Sequence, residues 1–254
     1  MDDDILQDTI NLFGDAPADD GKIYYGPLVL TTAPKANTLL ADHLFSPSLL
    51  LAEQIERGLI PIAGKTVLEL GAGCALPSLL CAISPQPAAT VVITDYPDDT
   101  IMNNLKSNVS RNKQHVHAGC AVHVAGYEWG ADVAPLLSFV PFPAPGFDIV
   151  ILSDVLHFDQ SHTVLRSSLT LTLRKTRAAR AYVAAGKYTL PHHCDHFLRE
   201  GEKAGLMWDT GAESAVWEGC LEVSGGALDR EQLGVRKGMC RWWVGRWKDS
   251  ECQA

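Results

Sequence analysis

The sequence predicts a single α/β domain in which a mainly parallel β-sheet is covered by helices on both faces. From Lys65 onward, short runs rich in β-branched residues alternate with longer segments whose apolar positions recur three and four residues apart. Such alternation is typical of right-handed βαβ units. The runs VVI and IVIL are continuously apolar, as expected for central strands buried on both faces. A chain of 254 residues, 46% apolar and 20% charged, is long enough for one such domain.

The first 64 residues precede the alternating core. Residues 1–20 contain seven aspartates and no basic side chain, so we expect an acidic, disordered lead that is either a solubilising tail or a contact for a basic partner. Residues 21–64 contain the hairpin-like KIYYGPLVLTT and then SPSLLLAEQIERG, whose Ser-Pro start and glycine stop predict a helix. We therefore expect a hairpin and a helix ahead of a core that spans residues 65–254.

The core is predicted to alternate strands with helices along the chain. The strand-like runs are KTVLEL, ATVVITD, GCAVHVAGYEW, FDIVILSD and ARAYVAAGKY. The helix-like segments between and after them are PSLLCAIS, DTIMNNLKSNVSRN, SHTVLRSSLTLTLRK and HHCDHFLREGEKAG. Late strands are predicted in LMWDTG, LEVSG and GMCRWWVGRWK. The proline-rich VPFPAPG is expected to connect into the fourth strand of the core and not to divide two domains.

Composition and charge exclude several classes of protein. No stretch approaches the roughly 20 apolar residues of a membrane span, and the aspartate-rich start is unlike a secretory signal, so we expect a cytoplasmic protein without membrane contact. The net charge of −9 and the lack of a basic stripe disfavour nucleic-acid binding. Seven scattered cysteines without a C-x-x-C pair predict neither a disulfide framework nor a cysteine-only zinc site. We expect no metal, because HHCDH after Pro191 is more typical of a helix start.

The turn after the first core strand contains two glycines that predict a ligand site. Gly71 and Gly73 lack Cβ atoms, so a ligand can touch the main chain there. A nicotinamide-cofactor fingerprint would need a glycine where this chain has Leu76 and an apolar residue in place of Glu69. The Glu69 carboxylate would repel a pyrophosphate but attract a cationic cofactor. Asp95 ends the next strand, where an acidic side chain can bind both ribose hydroxyls.

These motifs resemble a known family. ELGAG and TDYP resemble the first and second motifs of class I S-adenosylmethionine-dependent methyltransferases. Together, LELGAGCALPSLLCA, VVITDYPDDTIMNNLKSNV, YEWG and FDIVILSDVLHF resemble methyltransferase family 16, the group of protein lysine methyltransferases. Within it the chain is most similar, over about residues 40–250, to the fungal nicotinamide N-methyltransferase-like branch. Characterised members of that branch methylate the amino-terminal glycine and adjacent lysine of translation elongation factor 1-alpha.

The resemblance implies a Rossmann-like, seven-stranded sheet with an antiparallel last strand, and S-adenosylmethionine as the cofactor. It also implies a set of cofactor-binding residues. Phe45 stands where the family usually has a tryptophan in its leader helix, so an aromatic wall is kept without the indole N–H. The implied contacts are the methionine end for Glu69, Gly71, Ala72 and Gly73, the ribose for Asp95, the adenine for Trp129, and closure of the pocket for Ser153.

The segment after the fourth strand departs from the family pattern. The family often has D-x-x-Y or D-x-x-F, whereas this chain has Asp154, then His157, with Phe158 one place later. Either the substrate wall has shifted by one residue or His157 replaces the aromatic ring. Asp154 is the predicted catalytic residue, which would orient the incoming ammonium, and either a carbonyl group or Asp154 itself would accept the proton. The alternatives are a helix N-cap for Asp154, and for His157 either a base or a packed loop residue.

The predicted function is N-methylation of a protein amine, either a lysine side chain or an amino terminus, with a translation factor as the expected partner. An α-amine, with a pKa of about 7.7 to 8, is the easier acceptor because a lysine near 10.4 is almost entirely charged at neutral pH. Methylation of a small pyridine such as nicotinamide is the alternative reaction. A non-catalytic interaction protein that keeps the fold is the alternative from another class.

Overall fold

The computed structural model describes residues 21–34, 43–141, 146–225 and 228–252, so the acidic lead predicted for residues 1–20 lies outside the described residues. The strands are β1 (Lys22–Tyr25), β2 (Leu28–Thr31), β3 (Thr66–Leu70), β4 (Thr90–Asp95), β5 (Ala121–Gly126), β6 (Ile149–Ser153), β7 (Arg180–Gly186), β8 (Leu206–Thr210), β9 (Val223–Ser224) and β10 (Cys240–Trp247). The helices are α1 (Ser46–Glu56), α2 (Leu76–Ile83), α3 (Asp99–Asn112), α4 (Ala134–Leu137), α5 (His162–Thr172), α6 (Pro191–Lys203) and α7 (Arg230–Gly238).

Seven strands form one sheet in the spatial order β5-β4-β3-β6-β7-β10-β8. The first five of this order pair in parallel, whereas β10 lies antiparallel between β7 and β8. The predicted seven-stranded, mostly parallel sheet with an antiparallel last strand is confirmed. The chain builds outward from β3 to β5 and then places β6 on the other side of β3, so the strand order reverses between β3 and β6.

Helices cover both faces of this sheet. Strand β3 is buried along its whole length, and its side chains alternate, with Val67 in one core and Leu68 and Leu70 in the other. The first core includes residues of α1, α2, α3 and α7, and the second includes residues of α5 and α6. No helix in the described ranges combines the length and apolar character needed to cross a bilayer.

A second, three-stranded sheet lies beside the main one. Strands β1 and β2 form the hairpin, and β9 pairs with the other edge of β1. LEVSG, predicted as a late strand, contributes only Val223–Ser224 and joins the hairpin. Gly225 follows this strand and must be glycine, because its φ is +86° and a Cβ there would lie 2.1 Å from the Lys22 carbonyl oxygen.

Polar side chains on α3 and α1 fasten the hairpin and α7 beside the main sheet. The Asn112 amide accepts a hydrogen bond from Val29 N at 2.9 Å and donates one to Val29 O at 2.8 Å, so it satisfies both main-chain groups of that residue. On α7, a helix that the sequence pattern did not predict, Lys237 forms a buried ion pair of 2.7 Å with Glu53 of α1. The hairpin, α1 and α7 therefore pack as one layer.

Candidate active site

A cavity opens at the carboxyl ends of β3, β4 and β6, where the strand order reverses. Open α/β sheets bind ligands at such a switch point. Its walls come from the segment before α1 and from the loops after β3, β4, β5 and β6. Eight of the nine site residues predicted from the sequence lie in these walls: Phe45, Gly71, Ala72, Gly73, Asp95, Trp129, Ser153 and Asp154.

The turn after β3 presents main-chain atoms to the cavity. Gly71 N and Ala72 N donate hydrogen bonds to Thr94 O at 3.0 and 2.9 Å, which holds the turn against β4. Gly71 has a φ of +76°, and a Cβ there would lie 2.8 Å from Val155 Cγ1, so both backbone and space require glycine. Gly73 has a φ of +56° and open space where a Cβ would stand, so a ligand can approach its main chain.

Asp95 ends β4 and faces the cavity with a fixed carboxylate. Its Oδ2 accepts a hydrogen bond from Gly73 N at 2.7 Å, and its Oδ1 accepts one from Tyr96 N at 2.7 Å. Burial raises the pKa of Asp95, and these two N–H groups act against the rise. Each oxygen keeps further acceptor capacity, so the carboxylate can bind two neighbouring hydroxyl groups such as those of a ribose.

Glu69, the ninth predicted residue, lies beneath the turn and not in the cavity wall. Its side chain is fully buried, and its Oε2 accepts hydrogen bonds from Ser78 N at 3.2 Å and from Ser78 Oγ. Its Oε1 has no partner among the described residues. Burial raises the pKa of Glu69 to about 8, although the Ser78 hydrogen bonds lower it. Glu69 thus links β3 to α2, and its contact with the methionine end of a cofactor stays a prediction.

Trp129 and Ser153 form the part of the wall that was predicted to hold adenine and close the pocket. Trp129 packs edge-on against Phe158, with ring centroids 5.9 Å apart. Its loop is held by Ser168 of α5, whose Oγ accepts a hydrogen bond from Gly130 N at 2.9 Å. Ser153 Oγ is buried without a hydrogen-bond partner in the described part of the chain. An aromatic ring and an unpaired hydroxyl are groups that a nucleoside can engage.

Asp154 has an unusual backbone and a carboxylate that is already hydrogen-bonded. Its φ is +62°, a conformation that few residues other than glycine adopt. Its Oδ1 accepts a hydrogen bond from Gly186 N at 3.0 Å, and its Oδ2 accepts one from the Tyr188 hydroxyl. Burial raises the pKa of Asp154, and His157 is the largest influence against that rise. The helix N-cap alternative is wrong, because α5 begins at His162 and the carboxylate is directed to the loop after β7.

Both residues that compete for the family's aromatic position, His157 and Phe158, line the cavity. Their ring centroids lie 4.0 Å apart, and the His157 ring lies 6.3 Å from Phe45. The Tyr188 ring centroid lies 6.3 Å from that of Phe45. We call the rings of Phe45, His157, Phe158 and Tyr188 the aromatic chamber. Both rings thus contribute to the wall between Phe45 and Trp129, and which of them takes the place of the family's aromatic residue stays a prediction.

Arg236 of α7 holds the segment that carries Phe45. Its guanidinium donates hydrogen bonds to Ser46 Oγ at 3.0 Å and to the Leu44 carbonyl oxygen. Neither Arg236 nor Tyr188 was identified from the sequence, because both reach the site through the strand order and not through a local motif. A signal existed for Tyr188, since it is the last residue of the strand-like run ARAYVAAGKY and so lies at the ligand-binding edge of the sheet.

Comparison with known proteins assigns the chain to a class. Residues 36–193, more than half of its length, match the model of the family described as lysine methyltransferase. The chain belongs to this family.

Two fungal relatives and one solved structure illustrate the likeness. The chain is 36% identical over 127 residues to the protein N-terminal and lysine N-methyltransferase efm7 of Aspergillus fumigatus, over 50% of this chain and 48% of that protein. It is 33% identical over 168 residues to the protein of the same name in Emericella nidulans, over 64% of each chain. The chain therefore spans about half to two thirds of the length of these relatives. A Streptococcus mutans protein assigned as a SAM-dependent methyltransferase has a similar fold, with a TM-score of 0.50 and 14% identity over 86% of this chain and 52% of that chain.

Proposed function

We propose that this protein transfers a methyl group from S-adenosylmethionine to a protein amine. The observation that carries the proposal is the wall of the cavity at the switch point. Asp95 offers acceptors for two hydroxyls, Gly73 leaves its main chain open, and Ser153 Oγ lacks a partner in the described chain. The described wall residues include no lysine or arginine, which a cofactor with phosphate groups would favour. These groups fit a nucleoside without phosphate.

Different residues of the cavity would bind the cofactor and the amine during methyl transfer. The bound cofactor would supply a methyl group on a positively charged sulfur, which an amine displaces in line. Asp95 would hold the ribose and the Gly71–Gly73 turn the rest of the cofactor, so the chain's first task is alignment. The rings of the aromatic chamber would attract a cationic amine and keep water away from it. The amine must be neutral when it reacts, which favours an α-amine over a lysine at neutral pH.

The support for a protein acceptor is the family and the names of the relatives, which specify amino-terminal and lysine methylation. We propose a translation factor, with elongation factor 1-alpha as the first to test, because within the family this chain most resembles the fungal branch whose characterised members methylate it. The corresponding place of action is the cytoplasm. The chain spans only part of these relatives, so the acceptor needs its own experiment.

Methyl-labelled S-adenosylmethionine tests the proposal. The purified protein is incubated with labelled donor and a lysate from a strain that lacks the gene, and we expect label in a protein of the size of elongation factor 1-alpha. Asp95→Ala should abolish labelling and cofactor binding in calorimetry, because the ribose loses its acceptor. Asp195→Ala, an exposed change on α6, is the matched control and should leave both intact. Label confined to small molecules would support the pyridine alternative. A protein that does not bind the donor would instead support the alternative of a non-catalytic interaction protein.

A further inference from the structure

His157 is a half-buried side chain of the cavity wall whose two ring nitrogens the fold shields from solvent. Both ring nitrogens, Nδ1 and Nε2, are shielded from solvent and have no hydrogen-bond partner among the described residues. A neutral imidazole carries one N–H donor and one acceptor nitrogen, and burying both unpaired is costly. Two aromatic neighbours fix the ring, Phe158 at 4.0 Å and Phe45 at 6.3 Å between centroids. The His157 ring is therefore placed to form a hydrogen bond with a polar group of a ligand in the cavity.

The other titratable groups around His157 are already engaged. On the same loop, the Asp154 carboxylate accepts hydrogen bonds from Gly186 N and the Tyr188 hydroxyl. Tyr188, from the loop after β7, thus uses its proton on Asp154. Arg236, from α7, donates to Ser46 and Leu44. From the segment before α1, His43 contacts Phe45. His157 is thus the group of the aromatic chamber best placed to receive a proton from a ligand.

Burial supports this assignment. It lowers the pKa of His157 below its usual range, and the nearby Asp154 offsets the effect in part. The imidazole is therefore neutral at pH 7 and has a free acceptor nitrogen.

We propose that His157 accepts the proton of the ammonium group to be methylated, and that this favours an amino-terminal α-amine over a lysine side chain. The N–H bond of the ammonium breaks, its electron pair stays on nitrogen, and the proton passes to the imidazole. The freed pair forms the new N–C bond as the C–S bond of the donor breaks, and the sulfur keeps that bond's electrons. The imidazolium then releases its proton to water. The proposal rests on the proposed function, since it assigns a role within methyl transfer to an amine.

The preference follows from the acidity of the two amines. An α-ammonium group has a pKa of about 7.7 to 8 and a lysine one of about 10.4, so the lysine proton is held more tightly by a factor of about 250 to 500. Because a neutral imidazole is a weak base, the cost of moving the proton to it reflects the whole difference in pKa between the two amines. We therefore expect an α-amine to be methylated about a hundredfold or more faster than a lysine in the same peptide.

A pH profile of the His157→Phe and His157→Gln variants tests the proposal. The substrates are a peptide that begins with a free glycine followed by lysine, and the same peptide with an acetylated amino terminus. The wild-type kcat/KM for the free peptide should rise as pH passes the His157 pKa and then stay level. The variants need an amine that is already neutral, so their kcat/KM should keep rising to about pH 8, with a deficit of about tenfold at pH 7 that narrows above pH 8. His117→Gln, an exposed change before β5 at the opposite end of the sheet, should follow the wild type.

A second measurement does not depend on turnover. In the protein loaded with S-adenosylhomocysteine, the His157 ring resonance, assigned by its absence in His157→Gln, should titrate below pH 6.5 and shift on addition of the free peptide. The acetylated peptide should shift it less. Both variants should keep the wild-type unfolding temperature and S-adenosylhomocysteine affinity within about twofold, which separates lost chemistry from lost folding.

The possible outcomes separate this inference from the proposed function. A wild type that methylates the free peptide, with variants of parallel pH profile or a ring resonance indifferent to that peptide, would overturn the role of His157 and leave the proposed function in place. Faster methylation of the acetylated peptide than of the free one would overturn the α-amine preference. A wild type inactive on both peptides and on the lysate would overturn both proposals.

Discussion

At the residue scale, Glu69 is a carboxyl group whose proton the fold retains. Burial raises its pKa from 4.5 to about 8. Between these values the folded protein keeps a proton that the unfolded chain releases. The stabilisation of the folded protein by protonated Glu69 is therefore fully present below the pKa of Glu69 in the unfolded chain. It is lost as pH rises through the pKa of Glu69 in the folded protein.

Replacement of Glu69 by glutamine isolates this effect. A glutamine cannot ionise, so the Glu69→Gln variant should not lose this contribution as pH rises. The free energy of unfolding of the variant minus that of the wild type should therefore increase by up to about 1.4 kcal/mol per pH unit between about pH 5 and pH 8. Urea unfolding of both proteins across this range measures the difference. Asp95 and Asp154, whose pKa values burial also raises, titrate in both proteins and largely cancel. A difference that does not change with pH would show that Glu69 ionises freely in the folded state.

Position in the cavity wall was predictable from the sequence where a local requirement fixes the residue. Gly71 and Gly73 were predictable because a positive φ and close approach at a strand end leave a contiguous motif. Asp95 was predictable because it ends the neighbouring strand. The hydrogen bonds of Asp154 were not, because its partner Tyr188 lies 34 residues further along the chain. The hydrogen bond from Ser78 to the buried Glu69 carboxylate was not predicted either, because the motif that contains both residues does not reveal their contact.

At the scale of elements, a buried ion pair joins α1 to α7. Lys237 Nζ lies 2.7 Å from Glu53 Oε2, with 4% and 0% of the two side chains exposed. Lys237 also donates to Val216 O at 2.8 Å, and Glu53 accepts from Glu218 N at 2.5 Å. The pair therefore also fastens the loop before β9 to both helices.

Loss of the Lys237 charge should loosen this layer. Lys237→Met leaves Glu53 buried without its partner, and we expect the free energy of unfolding to fall by about 3 to 5 kcal/mol. Lys203→Met breaks the exposed pair with Glu200 and should cost far less, because solvent screens that pair. Urea unfolding compares the variants. Combining Lys237→Met with Glu53→Met should recover much of the loss, because no buried charge then lacks a partner. Equal losses of the free energy of unfolding in Lys237→Met and Lys203→Met would show that burial does not strengthen the pair.

The elements themselves were predictable to different degrees. Apolar spacing identified the hairpin, α1 and the main-sheet strands, since each buries a regular stripe or face. Helix α7 was missed because its segment REQLGVRKG contains two glycines, which disfavour a helix. The structure explains one of them, because a Cβ at Gly234 would lie 2.4 Å from the Ala215 carbonyl oxygen. Packing against a distant loop overrides local propensity there.

At the scale of the whole molecule, the fold determines which cysteine thiols can react. All seven cysteines are free. Cys74, Cys81 and Cys240 are buried, and burial raises the pKa of each thiol, to about 12 for Cys74. Cys220 is exposed.

A brief iodoacetamide pulse at neutral pH should therefore label Cys220 first, whereas Cys74, Cys81 and Cys240 should react only after unfolding. Mass spectrometry of the digested protein locates the label. Cys220→Ser should remove the early product and serves as the control. Rapid labelling of Cys74 in the native protein would show that the turn after β3 opens without global unfolding.

The general architecture and the position of the cavity followed from the alternation of strands and helices, which determines where the carboxyl ends of the strands meet. Pairings between distant segments did not. Tyr24 pairs with Ser224, and nothing near either residue marks the other as its partner. The aromatic chamber likewise combines residues from three separate segments, so its composition required the structure.

The placement of β10 has a consequence for biosynthesis. The ribosome releases β8 before β10, although β10 is the strand that joins β8 to the rest of the main sheet. Until Trp247 has been translated, the outer edge of β7 has no neighbour in that sheet. Such an unpaired edge is a template for association with other nascent chains. A premature stop codon before Cys240 would therefore yield a truncated product that aggregates through this edge.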